Sequence, residues 1–166
     1  VRIQADAVIL ATGSSWPNLP LFPIDGAQII TSKEALEQTA ITASLLIVGA
    51  GVEGCEFASL YSGLGTQVTM VELLPRILPL EDEEIAAYME RELKKRGVTV
   101  LTGTTVEKVE RGAGTVKAVL KDGASAVAEK LLVSVGRGFN SKGIGLERVG
   151  VRVGKRGEIL VNDRME

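Results

Sequence analysis

A chain of 166 residues is long enough for one domain, or two small ones, and buries roughly 70% of its unfolded surface, so no disulfide or metal is required to hold a core. Hydrophobic residues at 45% and charged residues at 24% describe an ordinary globular chain, and 19 Lys+Arg against 21 Asp+Glu leave a net charge of −2, which argues against a binder of nucleic acid or anionic membrane. The absence of histidine and the single cysteine, Cys55, exclude Ser-His-Asp and Cys-His catalysis, histidine metal sites, zinc clusters and an intramolecular disulfide.

The first residues, Val1-Arg2-Ile3-Gln4-Ala5-Asp6, carry no signal-peptide pattern, and no apolar run reaches the ~18 residues of a membrane helix. The chain starts without Met and reads as a piece of a longer, cytoplasmic protein. Residues 7–11 form a short apolar run closed by Thr12-Gly13, which predicts a buried strand entering a turn. Pro17, Pro20, Pro23 and then Asp25-Gly26 predict an irregular segment over residues 14–26. Thr31 with Glu34 is a capping-box pattern that opens a short helix to about Gln38. Residues 44–48 predict a second buried strand running into Gly49-Ala50-Gly51, followed by a helix over 52–62 that Gly63 and Gly65 stop, and a third strand over 67–72. The next helix has acids at its start (Glu81 to Glu84), bases at its end (Lys94, Lys95, Arg96) and Gly97 for a left-handed cap, with Ile85, Tyr88, Met89 and Leu93 as its apolar face. A fourth strand spans 98–101.

Helices and strands alternate to this point, which calls for a parallel sheet. The pattern then changes to strand-like runs over 105–110, 115–120 and 126–135, separated by turns at Gly112-Ala113-Gly114 and Asp122-Gly123. A last hairpin-like stretch pairs 151–153 with 158–161. The expected fold is α/β: a Rossmann-like three-layer domain with a parallel sheet and an appended antiparallel β-meander.

Gly49-Ala50-Gly51-Val52-Glu53-Gly54 is G-x-G-x-x-G between a strand and a helix. Gly49 permits the tight turn, Gly51 lets backbone approach a pyrophosphate, and Gly54 lets helix and strand pack closely. The helix start presents free N–H groups and partial positive charge to phosphates. Glu72 follows about 20 residues on, where a carboxylate accepts hydrogen bonds from an adenosine ribose; it repels a 2′-phosphate, which favours NAD over NADP, with Arg76 nearby as the feature pointing the other way. Glu53 is expected to point into solvent, since an inward acid would face the pyrophosphate. Cys55, at the start of the helix, is read as a small buried residue rather than a nucleophile.

Four segments, in order, resemble the pyridine nucleotide–disulfide oxidoreductases, flavoproteins typified by dihydrolipoamide dehydrogenase. They are Ala7-Val8-Ile9-Leu10-Ala11-Thr12-Gly13-Ser14, Gly49 to Glu56, Arg76-Ile77-Leu78-Pro79 with Asp82, and Leu132-Val133-Ser134-Val135-Gly136-Arg137 with Gly145-Leu146-Glu147. The resemblance implies residues 1–30 as a flanking segment of an FAD domain, 31–140 as an NAD(H)-binding domain and 141–166 as the return to the FAD domain. By the same resemblance Glu56 contacts the nicotinamide end of NAD(H), and Val52 sits at an entrance that a larger side chain gates in some relatives. Val135, Gly136 and Arg137 border the cofactor near the flavin, while Thr12 and Gly13 form a turn of the FAD domain. Phe139-Asn140 stands where the family has Pro-Asn.

The family's redox disulfide and His-Glu base are absent, so no catalytic residue is assigned here. The resemblance implies NAD(H) as ligand and, in the longer protein, FAD and a homodimer; the 166-residue chain alone is expected to be inactive and to bind NAD(H) weakly. Two readings remain beside it. One is a sibling flavoenzyme, such as a glutathione, mercuric or CoA-disulfide reductase or an NADH oxidase. The other is a non-catalytic nucleotide-binding regulatory domain.

Overall fold

A computed structural model describes residues 2–166. The chain forms two compact units, one of residues 18–136 and the other of residues up to 17 together with 137–166. This division departs from the 30/31 and 140/141 boundaries read from the sequence. Residues 18–30 go with the larger unit because Ile29–Ile30 (β2) joins its central sheet.

In the larger unit that sheet is five-stranded, entirely parallel and ordered β2-β9-β3-β4-β5, with β3 Ser44–Val48, β4 Gln67–Val71, β5 Thr99–Leu101 and β9 Lys130–Val133. Alternate side chains of each strand feed two cores. Ile30, Leu45, Ile47, Val68, Met70 and Leu132 pack under the helices α1 (Ser32–Leu36), α2 (Val52–Gly63) and α3 (Glu83–Lys95). Ile29, Leu46, Val48, Val71, Leu131 and Val133 pack against the antiparallel sheet of β6 (Val106–Arg111), β7 (Val116–Leu120) and β8 (Ser125–Ala128). The three layers are therefore helices, parallel sheet and meander, and burial on both faces explains why 45–48 is an unbroken apolar run.

Local signals account for the elements. Thr31 and Glu34 form the capping box, with the Glu34 Oε2 accepting from the Thr31 N–H at 2.9 Å. Asp82 caps α3 by accepting from the Glu84 and Ile85 amides, and Gly97 takes φ +82° just after the helix.

Four expectations need correction. Residues 7–11 form no strand: no other strand among the described residues pairs with them, and Val8 and Ile9 lie 77% and 92% exposed. The short strand β2 falls just past the irregular segment predicted over 14–26, within the 1–30 flanking segment, where no strand is expected. The run 126–135 splits into β8 and β9 in different sheets. Glu129 makes the corner, its Oε2 accepting from the Ala43 N–H at 2.7 Å and the Thr42 hydroxyl at 2.8 Å, while its own N–H donates to the Ser44 Oγ. Finally, α3 turns a different stripe inward. Ala86 and Leu93 are buried with Met89 packed beside them, whereas Ile85 and Tyr88 are exposed.

Asp25 ties the start of β2 to the meander. Its Oδ1 accepts from the amides of Ala27, Gln28 and Ile29, and its Oδ2 meets Arg111 at 2.9 Å. Desolvation opposes the charge, but these bonds outweigh it and hold the carboxyl at about 2. A depressed carboxyl stabilises the fold above its unfolded value, near 4, and that contribution disappears as the pH falls toward 2. Asp25→Ala is therefore expected to lower the urea midpoint at pH 7, with the gap to wild type closing below pH 3.

The smaller unit holds β1 (Ser14–Ser15) antiparallel to β10 (Gly138–Phe139), a 3₁₀ turn over Leu146–Val149, and the expected last hairpin reduced to a single bridge between Val153 and Ile159. Among the described residues no helix is long and apolar enough to cross a membrane, and no His/Cys/Asp/Glu group is placed to hold a metal ion.

Candidate functional site

β3 leads by one connection through α2 to β4, and the later strand β9 returns on the other side of β3. The order in which strands are added to the sheet thus switches sides at β3, and a crevice opens at the carboxyl ends of β3, β4 and β9, where open α/β sheets take ligands. It has a volume of about 420 Å³ and is lined by Gly49, Gly51, Glu72, Val135 and Gly136, together with Leu73, Leu74, Pro79, Thr104 and other residues.

The glycine turn is built by close approach. Gly49 takes φ +99°, and a Cβ there would lie 2.2 Å from the Ser134 carbonyl oxygen. At Gly54 a Cβ would lie 2.0 Å from the Gly49 carbonyl oxygen and 3.5 Å from Ile47. At Gly51 a Cβ would meet nothing within 4 Å. Gly51 is also the N-cap residue of α2 and supplies no side-chain acceptor, so the N–H groups of Val52, Glu53 and Gly54 lack intrahelical partners.

Glu72, 9% exposed, is the carboxylate of the site. Its Oε2 accepts from the Ala50 N–H at 2.7 Å and its Oε1 from the Leu74 N–H at 2.9 Å. Two amides leave an ionised carboxylate further acceptor positions. Ala50 is fully buried and contributes through this amide and through its carbonyl, which accepts from the Leu78 N–H at 2.8 Å. Leu78 holds φ +46°, unusual for a leucine, while its side chain is buried in the helix-side core.

Arg76 faces its own loop. Its guanidinium donates to the carbonyls of Leu78, Pro79 and Glu81 at 3.1–3.3 Å.

Glu53 does not point into solvent as expected. Its Oε2 accepts from the Ser134 hydroxyl at 3.0 Å, which ties the first turn of α2 to the end of β9. Ser134 falls within the segment from Leu132 to Arg137 but has no role of its own in the sequence reading; the signal available was its position at the end of a buried strand, just before Val135-Gly136.

Val52 and Glu56 line a separate groove beside α2 with Cys55, Ser59, Leu60 and Met89. Thr12, Gly13 and Arg137 belong to the smaller unit. There Arg137 donates to the Ser14 Oγ at 2.6 Å and carbonyl at 2.7 Å and stacks over Trp16 at 4.2 Å, while Asn140 donates to the Thr12 and Gly13 carbonyls.

Cys55 is buried, its Sγ 3.5 Å from the Ala50 carbonyl oxygen. Burial, then the charges of Glu72 and Glu56, push its thiol up to about 11. Iodoacetamide is expected to leave the native chain unlabelled at pH 7 and to label it stoichiometrically once urea unfolds it, as intact-mass measurement would show.

The family described as pyridine nucleotide-disulphide oxidoreductase matches residues 1–166. The chain is 41% identical over 166 residues to a dihydrolipoyl dehydrogenase of Bacillus subtilis, covering 98% of this chain and 36% of that protein. Among solved structures, LpdA from Mycobacterium tuberculosis superimposes with a TM-score of 0.82 at 33% identity, over 91% of this chain and 33% of that one. The HOCl-induced flavoprotein disulfide reductase RclA from Escherichia coli does so with a TM-score of 0.79 at 28% identity, over 92% and 35%. The chain spans about a third of the length of these relatives. With a family match over its whole length and a Rossmann-like fold shared with these structures, the chain belongs to the pyridine nucleotide–disulphide oxidoreductases.

Proposed function

We propose that the crevice binds NAD(H) and that, in a longer dihydrolipoamide dehydrogenase-like flavoprotein, it positions the nicotinamide for hydride transfer with FAD. The observation that carries this reading is the open space at Gly51, beside a helix start with no side-chain cap and across from the Glu72 carboxylate. The residues present suit a dinucleotide. The amides of Val52, Glu53 and Gly54 would hold the pyrophosphate, with the partial positive charge of the helix start behind them. Glu72, already oriented by two amides, would accept from the ribose hydroxyls. Its charge disfavours a 2′-phosphate, and Arg76, engaged with three carbonyls, is not poised to neutralise one. Glu53, held by Ser134, is steered toward the end of β9.

NADH supplies the hydride when bound; the chain's share is binding, orientation and electrostatics. Glu56 and Val52, on one face of α2, would border the nicotinamide end. The likeness to RclA supports a sibling flavoenzyme with another electron acceptor as the second reading, and the crevice serves both.

Calorimetric titration of the 166-residue chain tests the reading. NADH is expected to bind weakly and at least about tenfold more tightly than NADPH. Tighter binding of NADPH would overturn the cofactor assignment. The same chain is expected not to reduce lipoamide with NADH, and turnover in that assay would show that the chemistry does not need the rest of a longer protein.

A further inference from the structure

The crevice contains a polar group that nothing in the fold explains. Among the described residues, the Thr104 Oγ1 is the buried side-chain oxygen left without a hydrogen-bond partner. Such a group costs stability unless something else supplies its partner. Thr104 follows β5 and lines the crevice with Glu72 and Gly51. Its backbone is pinned there, since the Thr104 N–H donates to the Glu72 carbonyl at 3.1 Å and the neighbouring Gly103 N–H to the Leu74 carbonyl at 2.9 Å. The residue with the unmatched hydroxyl is thus bonded directly to the residue assigned to the sugar.

A base joined to that sugar lies one glycosidic bond away. The side chains of Phe22, Val71, Leu73 and Leu74 in the wall are apolar and suit the faces of a flat heterocycle, but none of the four offers anything to a polar edge. Thr104 does. Rotation about its χ1 exchanges methyl and hydroxyl between staggered positions, so the buried oxygen can turn into the crevice. We propose that Thr104 reads the base of the dinucleotide, its Oγ1 accepting a hydrogen bond from the 6-amino group of adenine. Thr104 is then a specificity-determining residue whose missing partner belongs to the ligand. This inference rests on the NAD(H) reading of the crevice.

The test titrates NADH, and an analogue whose purine has hydrogen in place of the 6-amino group, into wild type, Thr104→Val and Thr104→Ser. Wild type is expected to prefer NADH by about tenfold, Thr104→Ser to keep that preference and Thr104→Val to bind both alike. A second readout needs no ligand. Thr104→Val removes the unpaired hydroxyl at nearly constant shape, so its Tm is expected to rise by roughly 2–4 °C while its affinity for NADH falls. A merely structural threonine would not produce these opposite signs.

Preference for NADH retained by Thr104→Val, or a lower Tm for that variant without ligand, would overturn the proposal. If Thr104→Val does not fold, wild type and Thr104→Ser still decide, because equal binding of NADH and the analogue by wild type overturns it as well. Wild type that binds no NADH at all would instead sink the NAD(H) reading and this proposal with it, an outcome distinct from binding without preference.

Discussion

Gly51→Ala is expected to leave the fold standing and to weaken ligand binding, whereas the same substitution at Gly49 or Gly54 is expected to destabilise the fold severely. The three glycines belong to one motif but do different physical work. A methyl at Gly54 would sit 2.0 Å from the Gly49 carbonyl oxygen, a backbone atom held by the strand behind it. Neither side can yield without opening the contact between α2 and β3, and overpacking of this kind costs about 3 kcal/mol or more. At Gly49 the contact is with the Ser134 carbonyl oxygen at 2.2 Å, and φ +99° adds about 1–2 kcal/mol of strain for any side chain.

Gly51 differs in both respects. Its φ of −71° and ψ of −168° suit alanine, and open space surrounds the place a Cβ would take. Urea unfolding of Gly51→Ala is expected within about 1 kcal/mol of wild type. The new methyl would occupy the approach to the amides of α2, and NADH affinity is expected to fall at least about tenfold in calorimetry. Wild-type affinity in Gly51→Ala would show that the diphosphate does not pass over that residue.

Glu72→Ala is expected to damage stability and binding together. The carboxylate accepts from Ala50 in the glycine turn and from Leu74 in the loop after β4, so its loss leaves two amides without their acceptor. Hydrogen bonds to charged groups contribute about 1.5–3 kcal/mol each, and the combined cost is expected near 3 kcal/mol, because water enters the crevice and partly replaces the carboxylate. NADH affinity is expected to drop at least about tenfold, through the lost ribose contact and the loosened turn. Comparing the ratio of NADH to NADPH affinity separates these effects. A loosened turn weakens both dinucleotides equally, whereas loss of the charge also narrows the gap between them. A variant as stable as wild type would contradict the two amide contacts.

The sequence exposed those parts of the fold whose cause is local. The strand β3 is legible because burial on both faces makes every position from Leu45 to Val48 apolar, and α3 is legible from Asp82 and its flanking charges. What escaped depends on distant partners. Ile29–Ile30 is too short to show a period and becomes a strand only by pairing with β9. The break at Glu129 lies inside a run that looks continuous, and Thr42, Ala43 and Ser44 make it. The inward stripe of α3 was misplaced because Ala86, small and unremarkable in sequence, sits where the helix touches its neighbours, while the bulkier Ile85 and Tyr88 do not.

The candidate site divides the same way. The glycines and Glu72 could be placed from spacing, since one turn of chain links them to a strand and a helix. The direction of Glu53 could not, because Ser134 comes from a strand far along the chain. Thr104 gave no pattern at all, since an unmatched hydroxyl becomes visible only when its surroundings are known.

The placement of β9 also governs the order in which the molecule assembles. Its pairing with β3 in the middle of the parallel sheet joins Leu45 to Lys130, so the span between them must be drawn into a loop before that contact yields anything. Such non-local closure is slow relative to forming a helix or a hairpin. As the chain leaves the ribosome, β3, α2 and β4 are available early, yet β3 keeps one flank bare until the meander has been made. The Ser134 contacts with Gly49 and Glu53 arrive with that same late strand, so the ligand crevice is among the final features to mature.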